Sequence, residues 1–424
     1  MAITRREFMK WVSATAGATA IAGCATTGAG GGAGRVVVIG AGYGGATTAK
    51  YIRMWAPDIE VTVVERATGF ISCPMSNLVL GGNATMQDIT MGYGGLRDRG
   101  VRVVSGEVVG IDAVKHEVRL ADGSALGYDR VIVSPGIDFM YDQIPGLNNA
   151  EAQNRILHAW KAGPQTAALR KQLEAMRDGG VYVLHIPMMP YRCPPGPYER
   201  ICQVADYFKK AKSRSKIIVL DSNPDIVSKK GLFLAAWNGM YKGMIDYRPN
   251  SELVDVDVKG MTIKLHFDNV KGDVLNVVPP QKAGAIAGKS GLITANNRWC
   301  GVDWLTCESV AVKGVHVLGD AMLSAPGMPK SASMANQQAK VCAAAVIDLI
   351  KGQPVNSQPM LMNSCYSFVS GTSAVHVTSL HHYDAGQKTF LPVKGAGGLS
   401  AQASEAEANF AWGWAKNIWA DSLA

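Results

Sequence analysis

Residues 35–65 decide the fold: Arg35-Val36-Val37-Val38-Ile39-Gly40-Ala41-Gly42-Tyr43-Gly44-Gly45, an Ala/Thr-rich stretch to Trp55, a Pro57-Asp58 turn, then Glu60-Val61-Thr62-Val63-Val64-Glu65. A short, continuous apolar run is the mark of a strand buried on both faces of a parallel sheet. It runs into Gly-x-Gly-x-x-Gly, a helical stretch, a second apolar strand and an acid. Gly40 permits the tight turn, Gly42 lets a pyrophosphate approach the backbone, and Gly45 lets helix and strand pack closely. The helix N-terminus faces the phosphates, and the Glu65 carboxylate can accept from ribose hydroxyls. Strand, loop, helix, strand and acid in this order read as a dinucleotide-binding fold.

The rest of the chain is consistent with a large α/β protein. At 424 residues, two or three domains are expected from roughly 100–200 residues per domain. The composition is 47% hydrophobic and 18% charged, which argues against disorder or a coiled coil. The net charge of +8 comes without a dense Lys/Arg cluster and gives no sign of nucleic-acid binding. Downstream of the N-terminal segment no apolar run reaches the ~20 residues of a membrane span.

Residues 1–33 read as an address rather than structure. Thr4-Arg5-Arg6-Glu7-Phe8-Met9-Lys10 is a charged segment with twin arginines, followed by a weakly apolar stretch from Trp11 to Gly23 and a Gly-rich linker. A twin-arginine signal predicts export of a folded, cofactor-bearing protein to the bacterial periplasm. Ile21-Ala22-Gly23-Cys24 resembles a lipoprotein processing site that would anchor the chain through Cys24; ordinary cleavage near Ala22 or Ala25 is the alternative.

Two later segments choose the dinucleotide. Tyr128–Gly136 is an apolar strand entering a Gly turn, and Val315–Asp320 is a strand ending in Gly-Asp. Both resemble FAD segments of the glutathione-reductase-like flavoproteins, which carry two dinucleotide domains. That likeness implies a ribityl contact from Asp320, a contribution from Gly136, and an adenine contact from the backbone near Val108 in the strand Gly106–Ile111. A second Gly-rich loop should follow the strand Val181–Ile186. Instead the chain reads Pro187-Met188-Met189-Pro190-Tyr191-Arg192-Cys193-Pro194-Pro195-Gly196-Pro197-Tyr198-Glu199. Prolines lack N–H donors, so this loop is unsuited to cradle a pyrophosphate. The next strand, Ile217–Leu220, still ends at Asp221. The expectation is a second dinucleotide fold that no longer binds NAD(P)H.

Eight cysteines are present, none in a C-x-x-C or C-x-x-C-H pattern, so neither haem attachment nor a zinc spacing is found. Their surroundings, Phe70-Ile71-Ser72-Cys73-Pro74, Tyr191–Glu199, Leu318-Gly319-Asp320-Ala321, Met328-Pro329-Lys330-Ser331-Ala332 and Asn363-Ser364-Cys365-Tyr366-Ser367, resemble the flavoprotein subunits of flavocytochrome c sulfide dehydrogenases. The resemblance implies a thioether from Cys73 to the flavin 8α-methyl, a redox disulfide between Cys193 and Cys365, and Glu199 at the same site. It also implies hydrosulfide as substrate and, since this chain has no haem site, a separate c-type cytochrome subunit. Lys330, at the start of an apolar helix, is expected to support the anion of reduced flavin. Cys300 and Cys307 are either bonded to each other or separately packed, while Cys202 and Cys342 read as core. The Trp-rich tail (Trp412, Trp414, Trp419) reads as packing on the core or a partner rather than a membrane-docking helix.

The expected architecture is α/β, with two Rossmann-like domains of glutathione-reductase type and an α+β C-terminal domain. Residues 34–150 and 281–360 would form a discontinuous FAD domain, 151–280 the NAD-like domain and 361–424 the C-terminal domain. The expected activity is FAD-dependent oxidation of sulfide with a cytochrome c acceptor. A sulfide:quinone-type oxidoreductase and a non-enzymatic sulfur-pathway flavoprotein are the alternatives.

Overall fold

A computed structural model describes residues 33–424, which form one compact unit. Arg5, Arg6 and Cys24, on which the export and lipidation expectations rest, lie outside the described residues. The chain opens with β1 (Gly34–Ile39), α1 (Tyr43–Trp55) and β2 (Ile59–Glu65). Then come α2 (Ser76–Gly81), β3 (Arg102–Ser105) and β4 (Arg130–Val133). A second run supplies β5 (Val181–Ile186), α3 (Gly196–Ala211), β6 (Lys216–Asp221), β7 (Ile245–Arg248) and β8 (Val274–Val277). β9 (Val315–Val317) and α4 (Ala332–Lys351) return the chain to the first sheet. The end is β10 (Met360–Phe368), β11 (Ala374–Asp384), β12 (Thr389–Leu399) and α5 (Glu405–Leu423).

Two parallel sheets organise the molecule, as the paired apolar runs predict. The first has the order β9-β4-β1-β2-β3 and the second β7-β6-β5-β8. Val36, Val37, Val38 and Ile39 are buried, as are Tyr182 to Ile186. Both faces of these strands are therefore covered, which explains why they read as continuous rather than alternating apolar runs. In an open α/β sheet, ligands bind beyond the carboxyl ends of the strands. Here those ends deliver Gly40, Glu65 and Ser134 from the first sheet and the Pro187–Pro197 loop from the second.

The C-terminal strands form an antiparallel sheet in which Cys365 pairs with Val377. The tail is core, not a free amphipathic helix. Ser404 caps α5, and Ala411, Ala415 and Ile418 are buried. Trp419 donates its indole N–H to the Tyr43 hydroxyl at 3.0 Å, and Thr47 on α1 donates to Ser422 at 2.9 Å. Among the described residues no helix is long and apolar enough to cross a membrane.

Candidate active site

The Gly-rich loop folds as its spacing requires. Gly40 has φ +92°, and a Cβ there would lie 2.5 Å from the Ser134 carbonyl oxygen. A Cβ on Gly45 would fall 1.8 Å from the Gly40 carbonyl oxygen, so α1 can approach β1 this closely only without a side chain. Gly42 is the N-cap of α1 and makes no side-chain cap bond, while a Cβ there would meet nothing within 4 Å. The first N–H groups of α1 thus open toward a cavity, the arrangement that binds a phosphate. Glu65 closes the loop: Oε2 accepts from Ala41 N at 2.7 Å and Oε1 from Ala67 N at 2.9 Å. An ionised carboxylate offers about four acceptor sites, so it keeps capacity for hydroxyl donors.

The cavity of about 490 Å³ runs from this loop to the second sheet. Gly40, Gly42, Glu65, Val108, Gly136, Cys73, Asp320 and Lys330 line it. Cys193, Glu199 and Cys365 line the same cavity. Of the sequence-predicted site residues only Gly45 lies outside the lining, in its packing role behind Gly40. The fit to a dinucleotide rests on an orphan as well as on the loop. Asp320 Oδ1 is buried with no hydrogen-bond partner. A buried, unpaired carboxylate oxygen is costly unless a bound hydroxyl donates to it. The Asp320 side chain is thus placed to take a ligand hydroxyl.

Three distant segments meet at the thiols. Cys193 has φ +57°, its N–H donates to the Lys330 carbonyl at 2.8 Å, and its own carbonyl accepts from Gly196 N at 2.9 Å. These bonds pin the proline-framed loop to the start of α3. Glu199, one turn into α3, accepts from Phe368 N on β10 with Oε1 and from the Asn77 side-chain amide on α2 with Oε2, both at 2.8 Å. A single buried carboxylate therefore ties the segment after Cys73, the helix after Cys193 and the strand carrying Cys365. Burial raises its pKa above the usual carboxylate range, opposed by the Phe368 N–H, the Asn77 amide, Lys229 and Arg200.

Cys193 and Cys365 are unbonded thiols in this structure, so the expected disulfide is not formed in it. Burial pushes the Cys193 thiol well up, reinforced by Cys365 and Glu199 and opposed by Lys229 and Arg192. Burial likewise raises Cys365, with Lys229 opposing and Glu199 adding. Lys229 is buried and donates to the Cys365 carbonyl at 2.8 Å and to Ser367 Oγ at 2.9 Å. It is the cation that acts on both thiols and Glu199 together. Sequence reading missed it, because Ser228-Lys229-Lys230 looks like any solvated pair.

Lys330 stands differently from expectation. Its ammonium donates back to the carbonyls of Asp320, at 3.0 Å, and Met322, and lies 3.8 Å over the Trp299 ring. Burial lowers its pKa to about 8, with Asp320 opposing. The amine is thus fixed by the β9–α4 connection while still lining the cavity. Cys73 Sγ accepts from Arg192 Nη2 at 2.9 Å and from Ala162 N at 3.5 Å. Arg192 lay within the quoted proline-rich stretch, but nothing in its spacing points to Cys73.

The remaining cysteines among the described residues are packed. Cys202, Cys300, Cys307 and Cys342 are buried and unbonded. Cys307 neighbours Cys342 on α4, and no bond joins it to Cys300. In the second sheet the acid Asp221 is already occupied. Oδ2 accepts from the hydroxyls of Tyr198, at 2.8 Å, and Tyr247, at 3.0 Å; Oδ1 accepts from the Asn223 backbone at 2.9 Å and side chain at 2.8 Å. Two phenols and an asparagine thus engage the carboxylate that stands where a ribose-binding acid is expected.

Comparison with known proteins agrees with this geometry. Residues 166–279 match the family described as sulfide dehydrogenase (flavocytochrome c) flavoprotein chain, central, and residues 357–423 match flavocytochrome c sulphide dehydrogenase, flavin-binding. Residues 34–171 match pyridine nucleotide-disulphide oxidoreductase. Over 45 residues the chain is 60% identical to the sulfide dehydrogenase (flavocytochrome c) flavoprotein chain of Chlorobaculum thiosulfatiphilum, covering 11% of this chain and 94% of that sequence. It is 24% identical over 347 residues to a mitochondrial sulfide:quinone oxidoreductase of Dictyostelium discoideum, covering 78% of this chain and 74% of the relative. In fold it resembles the sulfide:quinone oxidoreductase of Aquifex aeolicus, with a TM-score of 0.73 at 17% identity, over 92% of this chain and 91% of that one.

Proposed function

Since the chain belongs to the family of flavocytochrome c sulfide dehydrogenase flavoprotein chains, FAD-dependent and sulfide-oxidising, we propose that it oxidises hydrosulfide through a Cys193–Cys365 redox pair and hands the electrons to a c-type cytochrome subunit. The observation that carries this reading is the convergence of Cys193, Cys365 and Glu199 on the cavity that also holds the Gly40 loop and Asp320.

In the oxidised pair, hydrosulfide attacks one sulfur of the disulfide. A new S–S bond forms in a cysteine persulfide, the Cys193–Cys365 bond breaks, and the other cysteine leaves as a thiolate. Lys229 stabilises that thiolate, since its ammonium is anchored on the Cys365 carbonyl. Glu199 holds the two cysteine-bearing segments in register rather than acting as a free base, because both of its oxygens are engaged. Both thiols are half-buried and line the cavity, which leaves them within reach of hydrosulfide. FAD, seated by the Gly40–Gly45 loop, Glu65, the backbone at Val108 and Gly136, and Asp320, supplies a two-electron acceptor with a one-electron outlet. A thioether from Cys73 would hold it permanently. The twin-arginine leader supports export to the periplasm, with Cys24 lipidated or, after ordinary cleavage near Ala22 or Ala25, a soluble protein.

A sulfide:quinone reaction is the second reading, favoured by the 24% identity to the Dictyostelium discoideum protein across 78% of this chain. Anaerobic addition of sulfide should bleach the flavin absorbance, and ferricytochrome c should restore it. Restoration by a soluble quinone alone would move the assignment to the quinone class, and failure of sulfide to bleach the flavin would remove the enzymatic reading.

A further inference from the structure

We propose that Arg192 activates Cys73 for covalent attachment of the flavin, an inference that rests on the thioether reading above. The observation is a sulfur held by donors. Arg192 Nη2 lies 2.9 Å from Cys73 Sγ, and Ala162 N lies 3.5 Å from it. The other polar neighbour is the Trp160 carbonyl, 3.9 Å from Sγ, and that oxygen already accepts from the same Arg192 nitrogen. A thiol needs no such company, whereas a thiolate does: a guanidinium and a backbone N–H aimed at one sulfur are the means by which proteins ionise a cysteine.

The backbone that carries the guanidinium is fixed. Arg192 N donates to Gln281 Oε1 at 3.0 Å, and the next residue, Cys193, is pinned to the Lys330 carbonyl. Among the described residues no carboxylate is ion-paired with Arg192; the groups that act on its charge are Cys73, Asp320 and Cys193. Its charge is therefore available to the sulfur. Cys73 and Arg192 are 119 residues apart and meet only at the lining of the flavin cavity. A cation within hydrogen-bond distance of a cysteine that lines the cavity of the Gly40 loop marks that sulfur as a nucleophile.

The chemistry balances within the site. The Sγ–C bond forms to the 8α carbon, one methyl C–H bond and the S–H bond break, and the electron pair with both protons reduces the isoalloxazine, which dioxygen or the cytochrome then reoxidises. Arg192 contributes by aiming Sγ and by stabilising the negative charge that builds on it as the proton leaves.

The test compares wild type, Arg192→Met, Arg192→Lys and Cys73→Ser, each newly made in the same host. Native flavin absorbance gives total occupancy, and flavin retained after acid precipitation, with intact mass, gives the covalent fraction. Wild type retains its flavin and Cys73→Ser retains none. Arg192→Met binds flavin but links it at least about tenfold more slowly, the factor for one lost charge-assisted hydrogen bond, and Arg192→Lys is intermediate. Linkage by Arg192→Met at the wild-type rate overturns the inference. If that variant binds no flavin, Arg192→Lys decides: full wild-type linkage at equal occupancy overturns the inference, and slowed linkage supports it. Release of flavin from wild type itself overturns the thioether reading instead, a separate outcome.

Discussion

Glu199→Gln probes the joint between the three segments around the thiols. The substitution is nearly isosteric, so any effect comes from hydrogen-bond polarity. Glu199 Oε1 can be replaced by the glutamine carbonyl, which still accepts from Phe368 N. The new amide then faces the Asn77 side-chain amide, donor against donor. Asn77 cannot turn over to repair this, because its Oδ1 accepts from Arg200 Nε at 3.0 Å and a flipped amide would face the guanidinium. One charge-assisted bond is lost and buried donors are left unpaired, a cost of about 2–4 kcal/mol. N77D alone sets two carboxylates together and should cost more. In E199Q/N77D the new amide donates to the new carboxylate and Arg200 keeps its acceptor, so stability returns in part. Recovery is incomplete because the Asn77 bond to the Gly196 carbonyl, 3.1 Å, is gone. Urea unfolding of the flavin-bound proteins, followed by tryptophan fluorescence, measures the cycle. The single variants should fall well below wild type and the double should lie above the sum of the two. Sulfide-dependent flavin reduction should slow in E199Q, because Phe368 follows Cys365 by three residues on β10. An E199Q protein within about 0.5 kcal/mol of wild type, or strictly additive losses in the double variant, would refute the keystone role.

NADH and NADPH should leave the flavin oxidised, because Asp221 is saturated by Tyr198, Tyr247 and Asn223; rapid bleaching by either, followed at the flavin absorbance, contradicts this. Lys229→Met should make both thiols of the reduced protein ionise at higher pH, read as a shifted pH profile of alkylation, with Lys229→Arg restoring part of the shift; an unmoved profile removes the electrostatic role. Acid should destabilise the fold. Burial lowers His185 and His316 to about 4 and His158 to about 3, the last helped by Arg200. These imidazoles are neutral when folded and take up protons when unfolded. Their contribution is therefore full above pH ~6.5 and is lost as pH falls through the folded values, at about 3 kcal/mol for each shift of some 2.5 units. Thermal unfolding between pH 7 and 4 should show that steep fall, and a flat profile contradicts the buried, neutral assignment.

The flavin half of the site was legible because its determinants are local in sequence. Gly40, Gly42, Gly45 and Glu65 fall within one strand-helix-strand unit whose steric needs fix the residue types. Asp320 followed from the strand that ends in Gly-Asp. The catalytic half was legible only as motifs. Nothing in the spacing of Cys193, Glu199 and Cys365 brings them together; that depends on β10 docking on α3 through the Phe368 N–H. Lys229 and the Arg192–Cys73 contact were illegible for the same reason: each joins segments more than a hundred residues apart, and neither carries a residue pattern of its own. Lys330 was placed in the right cavity, but its ammonium bonds the carbonyls of Asp320 and Met322, since the chain there turns them toward it. Cys307 likewise meets Cys342 of α4 in the core that holds Val315 and Val317 of β9, a contact between segments that no local pattern marks.

Anaerobic sulfide titration of wild type, Cys193→Ser and Cys365→Ser, each with flavin bound, tests the central claim that electrons pass from sulfide to FAD through these two sulfurs. The account predicts stoichiometric bleaching of the wild-type flavin. Both variants should fold with normal flavin content, show wild-type bleaching by dithionite, and fail to respond to sulfide. Wild-type sulfide bleaching in either serine variant would contradict the account, whatever the state of the bond between the two cysteines.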